Sequence, residues 1–172
     1  MVKEKLPEDI RGDLRRCYNM GFPVLILGET GSGKTYSIKN FDTEEVGIFS
    51  VEKNRLPFKK AFKIAKNATY QQITRVLSNP QLKKYVIDDS QYLLVNEMFD
   101  RAKDTGYGKF TDMALNFRNL IHFINIKLPD DVIVYFLHHT EMDSNTGKIK
   151  AKTVGKMLEA HSKGKTTSAL KG

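Results

Sequence analysis

Gly28-Glu29-Thr30-Gly31-Ser32-Gly33-Lys34-Thr35 places glycines, a lysine and a hydroxyl at the spacing needed to enclose phosphate groups. Glycines let the backbone curl so that successive N–H groups point inward at an anion. Lys34 would bring a mobile positive charge to the terminal phosphates, Thr35 a hydroxyl to Mg²⁺, and a helix opening there its positive dipole end. The chemistry of this octapeptide is the binding of a nucleoside triphosphate. All eight of its residues, with the Tyr36 that follows, are candidate nucleotide contacts.

Hydrolysis adds two demands, a carboxylate near the metal and another that orients a water in line with the γ-phosphorus. Asp88, at the tip of the apolar run Tyr85-Val86-Ile87, is the candidate for Mg²⁺, shared with Thr35. Asp89 beside it is a second candidate for water or metal, or for capping a helix. Glu52, just past Val46-Gly47-Ile48-Phe49-Ser50-Val51, is the first candidate for the base and would lie across the site from Asp88 if the two strands are neighbours. His138 and His139 end another apolar run. Side chains alternate along a strand, so only one of them can face the nucleotide, and His139 is the candidate sensor of the γ-phosphate. Adjacent histidines that point oppositely make a poor metal pair. Lys148, Lys150 and Lys152 recur every second residue, which on a strand puts them on one face, suited to a phosphate backbone or a neighbouring subunit's nucleotide. A solvated hairpin edge guarded by lysines uses the same pattern. Arg101 to Lys109, with Tyr107 and then Phe110, has the mixed aromatic and cationic character of a single-strand binding loop.

The elements that must position these residues alternate in type. Val24-Leu25-Ile26-Leu27 reads as the strand that delivers the glycine-rich loop, and Tyr36-Ser37-Ile38-Lys39 continues as helix. Residues 46–51, 85–88 and 132–137 read as three further strands, and 70–77 and 110–126 as helices, the second with Met113, Phe117, Leu120, Ile121 and Ile124 at core spacing. Asp143-Ser144-Asn145-Thr146-Gly147 is a turn, so 139–152 reads as a hairpin. Residues 1–22 read as a helical lead, 23–158 as the core and 159–172 as a flexible basic tail. Strands alternating with helices predict an α/β domain with a mainly parallel sheet covered on both faces, whose ligand sits at the carboxyl ends of the strands.

Composition agrees with one globular domain: 172 residues, 40% hydrophobic and 28% charged. No apolar stretch approaches the roughly 20 residues of a spanning helix, so no membrane association is expected and the cytoplasm is the expected compartment. Cys17 is the only cysteine, which leaves no internal disulfide and no assigned role. A formal net charge of +8 favours polyanion partners, nucleic acid first.

Taken in order, these blocks resemble the RecA-core ATPases of bacteriophages, the single-strand annealing or recombination ATPases also described as phage nucleotide-binding proteins. The resemblance spans roughly residues 22 to 158. It rests on Gly28 to Thr35, Ser50-Val51-Glu52 with Leu56-Pro57-Phe58, Val86-Ile87-Asp88-Asp89-Ser90-Gln91-Tyr92, His138-His139-Thr140-Glu141, and Lys150-Ala151-Lys152-Thr153-Val154-Gly155-Lys156-Met157. It implies a three-layer P-loop NTPase of RecA-like type with a C-terminal hairpin, binding ATP and Mg²⁺. It also implies self-assembly on single-stranded DNA, a partner in recombination or replication, and the host cytoplasm as its location. Glu52 would be the catalytic carboxylate, Asp88 the metal ligand, and the hairpin the coupling between ATP state and DNA or the adjoining subunit. Members of that family continue after Gly155-Lys156-Met157 into a further strand beside the phosphate-loop strand. Here a Lys/Ser/Thr-rich segment follows Ala160-His161, so the core is expected to look shortened, with its first strand at a sheet edge.

Two other functions fit part of the pattern. One is a nucleotide-gated assembly module without turnover. The other is a small-molecule phosphotransferase, which would want an Arg-rich lid, whereas only lysines follow Arg118. A GTPase would want an Asn-Lys-x-Asp sequence and a transporter ATPase a Leu-Ser-Gly-Gly type signature; neither occurs.

Overall fold

The computed structural model describes residues 20–53, 55–143 and 146–153. All but the last three residues of the expected helical lead, and the whole of the expected tail, lie outside the described residues, as do Val154 to Met157.

Five strands run parallel: β1 (Phe22–Gly28), β2 (Val46–Ser50), β3 (Lys63–Lys66), β4 (Lys84–Asp88) and β5 (Ile133–Met142), in the spatial order β1-β5-β4-β2-β3. β6 (Ile149–Ala151) folds back antiparallel on the far end of β5, pairing Thr140 with Ala151 and Met142 with Ile149. The hairpin expected over 139–152 is therefore present. The helices are α1 (Lys34–Ser37), α2 (Tyr70–Leu77), α3 (Tyr92–Asp100) and α4 (Gly108–Lys127).

Alternation along the strands divides the core in two. On one face Tyr85, Ile87, Val134 and Phe136 pack with Ile73 and Leu77 of α2, Leu93 of α3, and Leu120 and Ile124 of α4. On the other, Ile48, Val86 and Leu137 pack with Ile38, Phe41, Leu56, Phe58 and Phe62. The first face is covered by helices of eight to twenty residues. The second rests on α1, a 3₁₀ turn over Ile38–Asn40 and the irregular segment before β3. A mainly parallel α/β sheet whose central strands β2, β4 and β5 are buried between two packed faces is the expected consequence of unbroken apolar runs such as Val134-Tyr135-Phe136-Leu137.

Local chemistry explains where elements match the reading of the sequence and where they do not. α2 covers the expected residues because Thr69 and Gln72 form a reciprocal capping box: the Gln72 N–H donates to Thr69 Oγ1 at 3.3 Å, and the Thr69 N–H to Gln72 Oε1 at 3.1 Å. α1 is only one turn long. Beyond the 3₁₀ turn Phe41 is extended, and the Asp42 carboxylate accepts from the Glu44 N–H at 3.3 Å, a local bond that competes with continuing the helix. β3 has no counterpart in the apolar pattern, because Lys-Ile-Ala-Lys is an edge strand whose terminal lysines suit an unpaired border. α3 was likewise not marked by periodicity.

Among the described residues β1 pairs with β5 alone and so forms the other edge, with Phe22, Leu25 and Leu27 exposed. None of the described helices is long and apolar enough to cross a membrane.

Candidate functional site

Register brings the polar strand ends together. Gly28 pairs with His139 across β1 and β5, and Ser50 with Asp88 across β2 and β4, so four strands deliver their carboxyl ends to one rim. β5 stands between β1 and β4. The glycine-rich loop thus faces Asp88 across the end of β5.

Loop geometry depends on two glycines. Gly33 has φ of 89°, in the region that L side chains avoid, and opens α1. A Cβ on Gly28 would lie 2.6 Å from Ser32 Oγ, so a side chain there would force Ser32 to move. Inside this curl the Lys34 ammonium donates to the Gly28 and Glu29 carbonyls at 2.8 and 2.9 Å. Burial lowers its pKa, against the attraction of Asp89 and Asp88.

Thr35 Oγ1 donates to Asp88 Oδ1 at 2.8 Å, joining loop and β4. Asp88 is buried, and burial pushes its carboxyl up to about 6; the Thr35 hydrogen bond pulls the other way, and Asp89 adds repulsion. A buried carboxylate beside a hydroxyl, both hard oxygen donors, suits Mg²⁺. Among the described residues no group of three or more His, Cys, Asp or Glu could hold a metal by itself. Such an ion would complete its shell with phosphate oxygens and water, which is how Mg²⁺ is commonly bound.

An open recess of about 610 Å³ lies over these groups, lined by Thr30, Gly31, Gly33, Lys34, Thr35, Tyr36, Pro57, Asp89, Gln91, Tyr92, Val95, His139 and Lys152. That volume is in the range of small-ligand sites.

The two histidines point to opposite sides of β5, as strand alternation requires. His139 lines the recess, with Nδ1 2.8 Å from Thr30 Oγ1 and Nε2 3.1 Å from Asp89 Oδ1. An Nε2–H donating to the carboxylate leaves Nδ1 to accept from the Thr30 hydroxyl. The His139 N–H donates to Gln91 Oε1 at 3.2 Å. Asp89 adopts φ of 58°, a left-handed conformation uncommon outside glycine, and such positions cluster at working sites. His138 is buried, and burial holds its pKa below the usual histidine range. Its Nε2 lies 2.8 Å from the Lys152 carbonyl and its Nδ1 2.9 Å from Ser90 Oγ, so the neutral ring donates at Nε2 and accepts at Nδ1. The Lys152 N–H in turn donates to the His139 carbonyl at 2.8 Å. Loop, β4 tip, β5 and hairpin are therefore one hydrogen-bonded unit.

Of the other candidates all but Lys152 lie apart from this unit. β2 and β4 are neighbours, yet Glu52 lines a second recess, of about 460 Å³, with Asn67, Tyr70, Glu97 and Asp100 among its walls. The Lys148, Lys150 and Lys152 row is not uniform. Lys150 lies 3.6 Å from Glu141 Oε1 and 4.0 Å from Asp143 Oδ2, Lys148 is exposed, and Lys152 lines the first recess. In the 101–109 segment Arg101 bonds Asp104 at 2.8 Å and Asp112 at 2.9 Å, and Lys109 bonds the Asp104 carbonyl at 3.0 Å. These cations organise their own loop, while Tyr107 stands 74% exposed. Gln91, Tyr92 and Pro57, which in the sequence stand only within the blocks of the resemblance, line the recess, and Val95 and the Thr30 contact to His139 had no signal in the sequence. No protein-family model matches the chain, and no curated protein matches it.

Proposed function

We propose that this protein binds ATP with Mg²⁺ in the recess over the glycine-rich loop, on a RecA-like core, and hydrolyses it while acting on single-stranded DNA as a self-assembling recombination or replication ATPase of phage type in the host cytoplasm. The observation that carries the nucleotide part is the 2.8 Å contact between Thr35 and Asp88, with Thr35 and Lys34 lining a recess of small-ligand size.

The chain's own groups divide the work. Loop N–H groups and Lys34 would hold the β- and γ-phosphates, releasing the Gly28 and Glu29 carbonyls that Lys34 now contacts. Mg²⁺ held by Thr35 and Asp88 would supply charge neutralisation at the phosphates. Asp89, oriented by His139, is the carboxylate in the recess that can position a water, a task for which Glu52 would first have to leave its neighbouring recess. Displacement of Thr30 from His139 by the γ-phosphate would reach the hairpin through the His139 carbonyl and Lys152. Exposed Lys148 and the overall charge of +8 support a polyanion partner.

Steady-state ATP hydrolysis with Mg²⁺, with and without single-stranded DNA and with Lys34→Ala as control, tests this reading. DNA-stimulated turnover that Lys34→Ala abolishes is the expected result. Absence of both ATP binding and turnover overturns it. The placement of Glu52 outside the first recess favours one second reading, a nucleotide-gated assembly module without turnover. ATP binding with no hydrolysis under any DNA condition would select it.

A further inference from the structure

The recess has an apolar end that phosphate binding does not use. Tyr36 and Pro57 line it beside the glycine-rich loop. Tyr36 is 47% exposed, although its neighbours fix its ring: Phe58 meets it edge-on at 6.1 Å and 79°, and Lys39 Nζ sits 3.8 Å from its centroid and 2.5 Å from its hydroxyl. Phe58 is braced in turn by Phe62 at 6.0 Å. Lys60 donates to the Lys39 and Phe41 carbonyls, tying the 55–62 segment to the end of the 3₁₀ turn. The Lys39 ammonium covers one face of this ring, so a stacked ligand would have to take the opposite face.

We propose that Tyr36 stacks on the nucleobase of the bound nucleotide, with Pro57 as the facing wall. The inference rests on the nucleotide reading above and adds which end of the recess takes the base. Direction along the chain favours Tyr36 over Tyr92 and Val95, the other apolar residues that line the recess. Tyr36 directly follows Lys34 and Thr35, the groups for the phosphates, so a nucleoside leaving the loop along α1 meets it next. Tyr92 and Val95 instead follow Asp89 and Gln91 in the chain, and so belong with the carboxylate that would face the terminal phosphate and its water. Stacking on a phenol and a pyrrolidine ring uses the π-face that every base possesses, so Tyr36 contributes affinity for a nucleoside without selecting among bases.

Calorimetric titration of the full chain with Mg²⁺·ATP and, separately, with Mg²⁺ and inorganic tripolyphosphate isolates the base. Tyr36→Ala should weaken ATP binding about tenfold or more while leaving tripolyphosphate affinity unchanged, and Tyr36→Phe should restore ATP affinity. Equal weakening of both ligands by Tyr36→Ala would mean that Tyr36 only supports the loop, and unchanged ATP affinity would mean that the base lies elsewhere; either overturns the proposal. If the unsubstituted protein binds neither ligand, or Lys34→Ala binds both as well as it does, the nucleotide reading itself falls and the base site with it. Lys34-dependent tripolyphosphate binding together with Tyr36-independent ATP binding rejects the base site alone.

Discussion

Two recesses open at the same carboxyl edge of the sheet, and both contain acids that follow strands. In the first, Asp88 and Asp89 meet Thr35, Lys34 and His139 within hydrogen-bonding or ionic reach. In the second, Glu52, Glu97 and Asp100 gather with Lys53 and Tyr70, and Glu97 Oε2 and Tyr70 Oη are buried without a hydrogen-bond partner among the described residues. Burial, with Glu97 as a second cause, pushes the Tyr70 hydroxyl far above the usual phenol range. The difference teaches that an acid at a strand tip is not by itself a site. What separates the recesses is the strand between β1 and β4: β5 brings His139 and, through β6, Lys152 to the first.

The largest test of that contrast is Lys34→Ala. Removing the ammonium that Asp88 and Asp89 both attract should weaken Mg²⁺·ATP binding about a hundredfold or more, read by titration. A loss of less than threefold would erase the distinction between the recesses.

Asp88→Asn comes next, with two opposite effects. The Mg²⁺-dependent part of ATP affinity should disappear. Thermal stability at pH 7.5 should rise by of order 1–3 kcal/mol, because a carboxylate whose pKa is raised by burial opposes folding when ionised. The sign follows from linkage: the opposing contribution is absent below 3.8, grows as pH rises, and is fully present above about 6. The stability gap between variant and parent should therefore close on acidification through that window, and Mg²⁺-dependent ATP affinity of the parent should fall as pH drops through about 6. A gap independent of pH would show that Asp88 is not the group responsible.

Turnover separates the two recesses more finely. Asp89→Asn should cut hydrolysis by about 10²-fold or more with ATP binding retained, and Glu52→Gln should change it less than threefold. The reverse pattern would mean that the segment after β2 moves Glu52 onto the nucleotide and that Asp89 serves geometry. Smallest of all is Tyr70→Phe in the second recess. It removes a buried hydroxyl that has no partner, so stability should stay the same or rise by up to about 1 kcal/mol, with ATP binding untouched.

Much of the frame was legible because it follows from short-range rules. The capping box at Thr69 sets the start of α2, apolar alternation sets β4 and β5, and turn residues set the β5–β6 hairpin. β3 was not legible, since Lys63-Ile64-Ala65-Lys66 carries the charges of a loop and is held as a strand only by pairing with β2. α1 passes directly into the 3₁₀ turn over Ile38–Asn40, and the Asp42 to Glu44 bond lies beyond that turn, where the chain has become extended. Among site residues, alternation foretold that one histidine of the pair would face the loop. It did not foretell the Thr30 to His139 to Asp89 chain, which joins residues from three separate strand ends.

By itself the sequence determined the loop and the chemistry of its parts: where glycine must stand, which lysine and hydroxyl flank it, and which strands end in acid. Those are properties of covalent neighbours and of the periods of helix and strand. Only the tertiary structure decided that Asp88 meets Thr35, that Glu52 turns to a different recess, and that Lys150 is taken up by Glu141 and Asp143 while Lys152 reaches the loop. The reason is that strand order and register are set by packing of the whole sheet, and a side chain's partner across strands has no trace in its own neighbours along the chain.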